Sequence, residues 1–116
     1  MGAKSLQKWS DIPFGEVIEE RWEKHGRSAN LASLHRRLIG IGYEGFRQMV
    51  AGQLAPREDI MEQVADILGI DPREFPEYRR WQVEQTLKLY PDALAALYPI
   101  AMRISIGQSG HPPKAR

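Results

Sequence analysis

The stretch "GIGYEGFRQMVAGQLAP", residues 40–56, decides how this chain is read. Two glycines open it, and Gly52 and Pro56 close it. Between them Phe46, Met49 and Val50 recur at the spacing of one helix face, which predicts a helix over residues 43–51. Tyr43, Glu44, Arg47 and Gln48 supply long polar side chains to the other side. A glycine just past the last periodic residue is a helix stop. The segment is a short helix with an apolar face and a polar face, punctuated at both ends.

The chain on either side has the same texture. Upstream, "SANLASLHRRL" (residues 28–38) reads as a helix capped by Ser28 or Asn30, with Leu31, Leu34 and Leu38 on one face and Arg36 and Arg37 directed largely away. Before it, "DIPFGEVIEERWEKHG" has Pro13 in a first turn, Glu16, Glu19 and Glu20 near the positive end of the helix dipole, and a stripe of Phe14, Val17, Ile18 and Trp22 ending at Gly26. Downstream, "REDIMEQVADILG" turns Ile60, Val64, Ile67 and Leu68 inward, stops at Gly69 and leaves Ile70 as an apolar plug. "DPREF" starts a short fifth helix with Asp71 as cap and Pro72 at its first position. Residues 78–90 read as a further helix, with Trp81, Val83, Leu87 and Tyr90 as candidate buried groups. Pro91 and Asp92 break it, and "ALAALYPIAMRISI" resumes it until Gly107. There is no strand signal and no internal repeat. The predicted fold is all-α: a five-helix domain over residues 11–78, a helical extension over 79–107, and flexible arms at 1–10 and 108–116.

Composition narrows the class. The chain has 116 residues, 42% of them hydrophobic, which fits one globular domain and not a disordered chain. Without cysteine there is no disulfide frame and no thiolate metal site. The first residues contain no apolar run of the secretory kind, and the longest apolar run, residues 93–102, is too short to span a bilayer. A cytoplasmic protein without a membrane span is the expectation. His25, His35 and His111 have no metal-ligand spacing, and His35 reads as a packed or capping residue. No metal and no cofactor is called for. Serine, histidine and aspartate are present but ungrouped, so no catalytic constellation appears. Trp9, Trp22 and Trp81 read as core or interface anchors.

Net charge is +1, unevenly spread. Residues 27–57 carry five arginines (Arg27, Arg36, Arg37, Arg47, Arg57) against Glu44, and residues 58–77 carry seven acids against Arg73. The opening stretch therefore lies in the basic part of a nearly neutral chain. Such a segment suits a polyanion, and it equally fits a solvated helix face.

The order of these elements resembles the helix-turn-helix domain of the lambda-repressor-like family, which includes phage repressors, Cro and Xre-type regulators. The resemblance covers residues 12–78. It rests on Phe14-Gly15, the Gly40-Ile41-Gly42 turn, Phe46 and Val50, Gly52-x-x-x-Pro56, and Val64-Ala65-x-x-Leu68-Gly69-Ile70 closing on Pro72 and Phe75. Two features depart from the family pattern. His35 stands where a small residue is usual, and the turn is one residue longer, since Ile39 intervenes between Leu38 and Gly40.

The resemblance implies a protein that inserts the helix over 43–51 into the major groove of double-stranded DNA, where base edges display a distinct donor and acceptor pattern. It implies base reading by Tyr43, Glu44, Arg47 and Gln48. Arg47 matches guanine O6 and N7, Gln48 matches adenine N6 and N7, Glu44 accepts from cytosine N4, and Tyr43 reaches a phosphate or a thymine methyl. The alternative for these four is a solvated polar surface. Gly45 would allow close approach. Phosphates would be held by Asn30, Ser33 and Arg57, with Arg27, Arg36 and Arg37 adding positive charge. Regulators of this kind read two half-sites as dimers. Leu94, Leu97, Tyr98 and Ile100, beyond the Pro91 break, are the candidates for a homodimer interface. The competing reading is an antitoxin-like or other protein-interaction module that grips a protein partner through the C-terminal helices. Neither reading is an enzyme.

Overall fold

The computed structural model describes residues 9–25 and 30–109. Ser28, Arg27, residues 1–8 and the tail bearing His111, Lys114 and Arg116 lie outside them. All regular structure among the described residues is helical: α1 (Phe14–Trp22), α2 (Leu31–His35), α3 (Tyr43–Val50), α4 (Glu58–Leu68), α5 (Pro76–Leu89) and α6 (Pro91–Ser109). Of two 3-10 segments among the described residues, Glu23–His25 continues directly from α1, and Pro72–Glu74 lies between α4 and α5. The predicted fifth helix at "DPREF" is therefore a single 3-10 turn. Asp71 caps it as expected, accepting from the Arg73 N–H at 2.8 Å. The chain divides into two compact units, Met1–Trp81 and Gln82–Arg116.

The first unit is built on the expected stripes. Phe14, Val17, Ile18 and Trp22 of α1 meet Leu34 and Leu38, Phe46 and Met49 of α3, Ile60 and Val64 of α4, and Phe75 and Tyr78, all buried. Met61 and Ala65 of α4 join them, two core positions the inward set of that helix did not include. The Phe14 and Phe75 rings meet edge to face at 4.9 Å between centroids. Trp81 packs partly buried against this core. Val83 and Tyr90, expected inside, are 50% and 63% exposed. Their register places them past Trp81, beyond the last residue of the first unit.

Glycines set how closely the elements meet and where they stop. A Cβ on Gly15 would lie 1.8 Å from the Val50 carbonyl oxygen, so α1 touches the end of α3 through bare backbone. Gly52 has φ +82°, and the Gly52 and Gln53 N–H groups close back on the Met49 and Gln48 carbonyls at 3.2 and 2.9 Å. That is a Schellman stop, which satisfies the last carbonyls of α3.

Residues 9 and 10, expected in a flexible arm, are tied to the first unit. Trp9 lies under the Arg73 guanidinium at 5.0 Å, and the Ser10 carbonyl accepts from Arg79 at 2.8 Å. The Phe14 N–H donates to the Glu77 carboxylate at 3.1 and 3.2 Å, supplying the cap that Pro13 cannot. At the other end α6 runs to Ser109, two residues past the predicted stop at Gly107. Pro99 sits inside α6. None of its described side chains is buried. No helix among the described residues is long and apolar enough to cross a membrane.

Candidate nucleic-acid interface

The connection before α3 differs most from its sequence reading. The helix predicted over 28–38 stops at His35, five residues after its cap. Beyond it the backbone tightens: Arg37 and Leu38 donate to the Leu34 and His35 carbonyls, three residues back, at 3.0 and 2.9 Å. Side chains then satisfy the turn. Gln63 of α4 accepts from the Ile39 N–H at 2.8 Å and donates to the Ile39 carbonyl at 2.9 Å. Arg57 donates to the Gly40 carbonyl at 3.0 Å. His35 Nε2 donates to the Ile41 carbonyl at 2.8 Å, a bond that requires the proton on that nitrogen. Three consecutive residues are held by three side chains from three places in the sequence. His35 and the turn at residues 39–41 are thus parts of one device. The ring of His35 also stacks on Phe46 and meets Tyr43 edge-on, with centroids 6.1 and 5.6 Å away.

This device seats α3. Its apolar face is locked by buried Phe46 and Met49, and its start is fixed by the turn. The four candidate base-reading residues lie together on it. Tyr43 is 42% exposed beside His35. Glu44, Arg47 and Gln48 form one network. Arg47 Nε donates to Glu44 Oε1 at 3.0 Å, Arg47 Nη2 donates to Glu44 Oε2, and Gln48 Nε2 donates to Glu44 Oε2 at 3.2 Å. The Arg47 hydrogen bond holds the Glu44 carboxyl below its usual range and raises the guanidinium in turn. A Cβ on Gly45 would meet only Ile41 side-chain carbons, at 3.5 Å and beyond. Among the described residues nothing therefore demands a glycine there.

The candidate phosphate ligands have partners within the chain. Asn30 and Ser33 make a reciprocal capping box: Asn30 Oδ1 accepts from the Ser33 N–H at 2.8 Å and Ser33 Oγ accepts from the Asn30 N–H at 3.0 Å. Ser33 Oγ also donates to the Asn30 carbonyl at 2.7 Å. Arg57 donates to both Asp59 oxygens at 3.0 and 2.8 Å as well as to Gly40, and this partner holds the Asp59 carboxyl low. The basic surplus along residues 27–57 is therefore smaller in space than in sequence, because Arg47 and Arg57 carry their own carboxylates. Arg36 and Arg37 are exposed, and among the described residues no carboxylate reaches either of them. Arg37 lies over the Trp22 ring at 5.5 Å.

Leu94, Leu97, Tyr98 and Ile100 belong to the second unit and are 42% to 62% exposed. On a helix, Leu94, Leu97 and Tyr98 share a side, while Ile100 lies about 120° round from Leu94. Two side chains that position elements of the first unit, and that the sequence did not single out, are Gln63 and Glu77. Both act on partners more than twenty residues away, and no periodicity signals such a bond.

Neither a protein-family model, nor a curated protein, nor a solved structure matches this chain.

Proposed function

We propose that this chain is a sequence-specific DNA-binding transcriptional regulator of the lambda-repressor-like kind, acting in the cytoplasm, which lays α3 in the major groove. The observation that carries the reading is the pairing of α3's two faces. One face is immobilised by core packing and by the held turn at residues 39–41, and the other projects Tyr43, Glu44, Arg47 and Gln48. A helix must be rigidly seated for its side chains to meet base edges in register. Arg36 and Arg37, without carboxylate partners among the described residues, supply the attraction to phosphate. Asn30 and Ser33 support the site by starting α2, and Arg57 by holding the turn. The role is one of binding, with no catalytic step.

In vitro selection of bound duplexes, followed by affinity measurements across salt, tests this. A selected motif, with affinity falling steeply as salt rises, is expected. Equal binding to selected and scrambled duplexes would overturn it.

The functional unit on this reading is a homodimer. Leu94, Leu97, Ala101 and Ile104 follow one another at 3-4-3 spacing, the seam of a two-helix contact. The exposed apolar length of α6 also favours a second reading, an antitoxin-like module that grips a different protein. A stable complex with the product of a neighbouring gene, formed from purified chains, would favour that reading. The two roles are compatible.

A further inference from the structure

Three polar side chains on the exposed face of α3 are joined through a single carboxylate. Glu44 and Arg47 are three residues apart, neighbours on a helix surface. Their two bonds run in parallel from Nε and Nη2 to the two carboxylate oxygens, occupying the side edge of the guanidinium. Gln48 brings a third donor to the same carboxylate. A carboxylate offers about four lone-pair sites, and three are taken here. Glu44 thus has little acceptor capacity left for a cytosine amino group. Arg47 retains its end edge, Nη1 with the second Nη2 hydrogen, directed away from Glu44. Guanine presents O6 and N7 as the acceptor pair that such an edge matches.

We propose that Glu44 is a positioning residue that holds Arg47 end-on for a guanine and does not itself read a base. The proposal rests on the DNA-binding reading of α3 and specifies how that face works. An exposed pair of this kind adds little to folding stability, so its effect belongs to recognition. Ordering a flexible arginine is part of the cost of association, and an arginine already bonded to its neighbour loses less freedom on binding. The negative charge also repels phosphate, which weakens binding to duplex of any sequence. Glu44 therefore acts on specific and non-specific binding in opposite directions. A merely structural residue would move both the same way.

The test uses the full chain and its Glu44→Gln and Glu44→Ala variants. A site is selected with the wild-type chain from random duplexes. Affinity is then measured on that site, on the site with its guanine replaced by adenine, and on an unrelated duplex at one salt concentration. A fixed guanine is expected for the wild type. Both variants should discriminate about tenfold less at that base pair, while binding the unrelated duplex as tightly or more tightly. Guanine discrimination unchanged in both variants would overturn the proposal. So would loss of preference at a separate cytosine, which would make Glu44 a reader. If the wild-type chain selects no motif, the DNA-binding reading fails and takes this assignment with it, so the wild-type arm tells the two failures apart.

Discussion

On the proposed DNA-binding reading, Arg47 is the side chain on which base recognition turns. Its removal deletes the donor fork and leaves the rest of α3 packed as before, since its side chain is 41% exposed. Arg47→Ala should weaken the selected site by roughly ten- to a hundredfold and relax preference at one base pair. An equal loss on every sequence would instead make Arg47 a phosphate contact. Tyr78 tests the core of the same unit through pH. Its ring is buried and its hydroxyl donates to Glu62 at 2.7 Å. That bond, and then burial, raises the phenol from 10.0 to about 12. The fold prefers the protonated phenol, so the bond's contribution to stability is complete below the unfolded value and is lost as pH rises through the folded one. Tyr78→Phe should melt below the wild type at about pH 8, and the gap should narrow once pH passes about 10. A gap independent of pH would show that the hydroxyl bond is not what Phe removes.

The two helix-end glycines differ in what they tolerate. A Cβ at Gly15 collides with the Val50 backbone oxygen, which cannot swing aside, so α1 and α3 must separate. A Cβ at Gly52 meets nothing within 4 Å, and the obstacle there is the positive φ alone. Gly52→Ala should cost about 1 kcal/mol from that conformation, and Gly52→Val more, with weakened DNA binding because the stop of α3 loosens. Gly15→Ala should cost about 1–3 kcal/mol or more as overpacking. Chemical denaturation that ranks Gly52→Ala as the more damaging of the two alanine variants would show that α1 and α3 do not meet as described. The held turn gives a second prediction. Gln63→Ala removes both bonds to Ile39, at about 1 kcal/mol net for each. It should also reduce DNA affinity, although Gln63 lies on α4. Unchanged affinity would mean that His35 and Arg57 alone fix the approach of α3.

At the scale of the molecule the open question is what covers α6. Leu94, Tyr98 and Ile104 are each more than half exposed, and the helix carries only Asp92 and Arg103 as charges. A helix apolar on most sides is normally buried. Light scattering at tens of micromolar should find a dimer for the full chain and a monomer for a chain ending at Tyr90, which keeps all of the first unit. Leu97→Asp in the full chain should also give a monomer. A full chain that is monomeric while still binding its selected DNA would end the dimer reading.

Sequence by itself determined the helical class and most of the first unit's core. Helical periodicity and cap chemistry act over a few residues, so the stripes of α1, α3 and α4, the stops at Gly52 and Gly69, and the cap at Asp71 were all legible. The early end of α2 was not. The turn that follows it is held by Gln63, 24 residues from Ile39, and by Arg57, 17 residues from Gly40, and no local pattern announces bonds of that span. Individual side chains also took on partners, some local and some distant. Arg57, a candidate phosphate ligand in the sequence, also bonds Asp59 beside it and Gly40, 17 residues away. Asn30 and Ser33, candidate ligands in the sequence, also cap each other. Val83 and Tyr90 read as core, yet burial depends on what packs opposite, and the first unit ends at Trp81. Tertiary structure alone decided the bonds of Gln63 to Ile39 and of Arg57 to Gly40 and the exposure of Val83 and Tyr90, because a polar side chain's partners are the donors and acceptors the fold brings within about 3 Å of it.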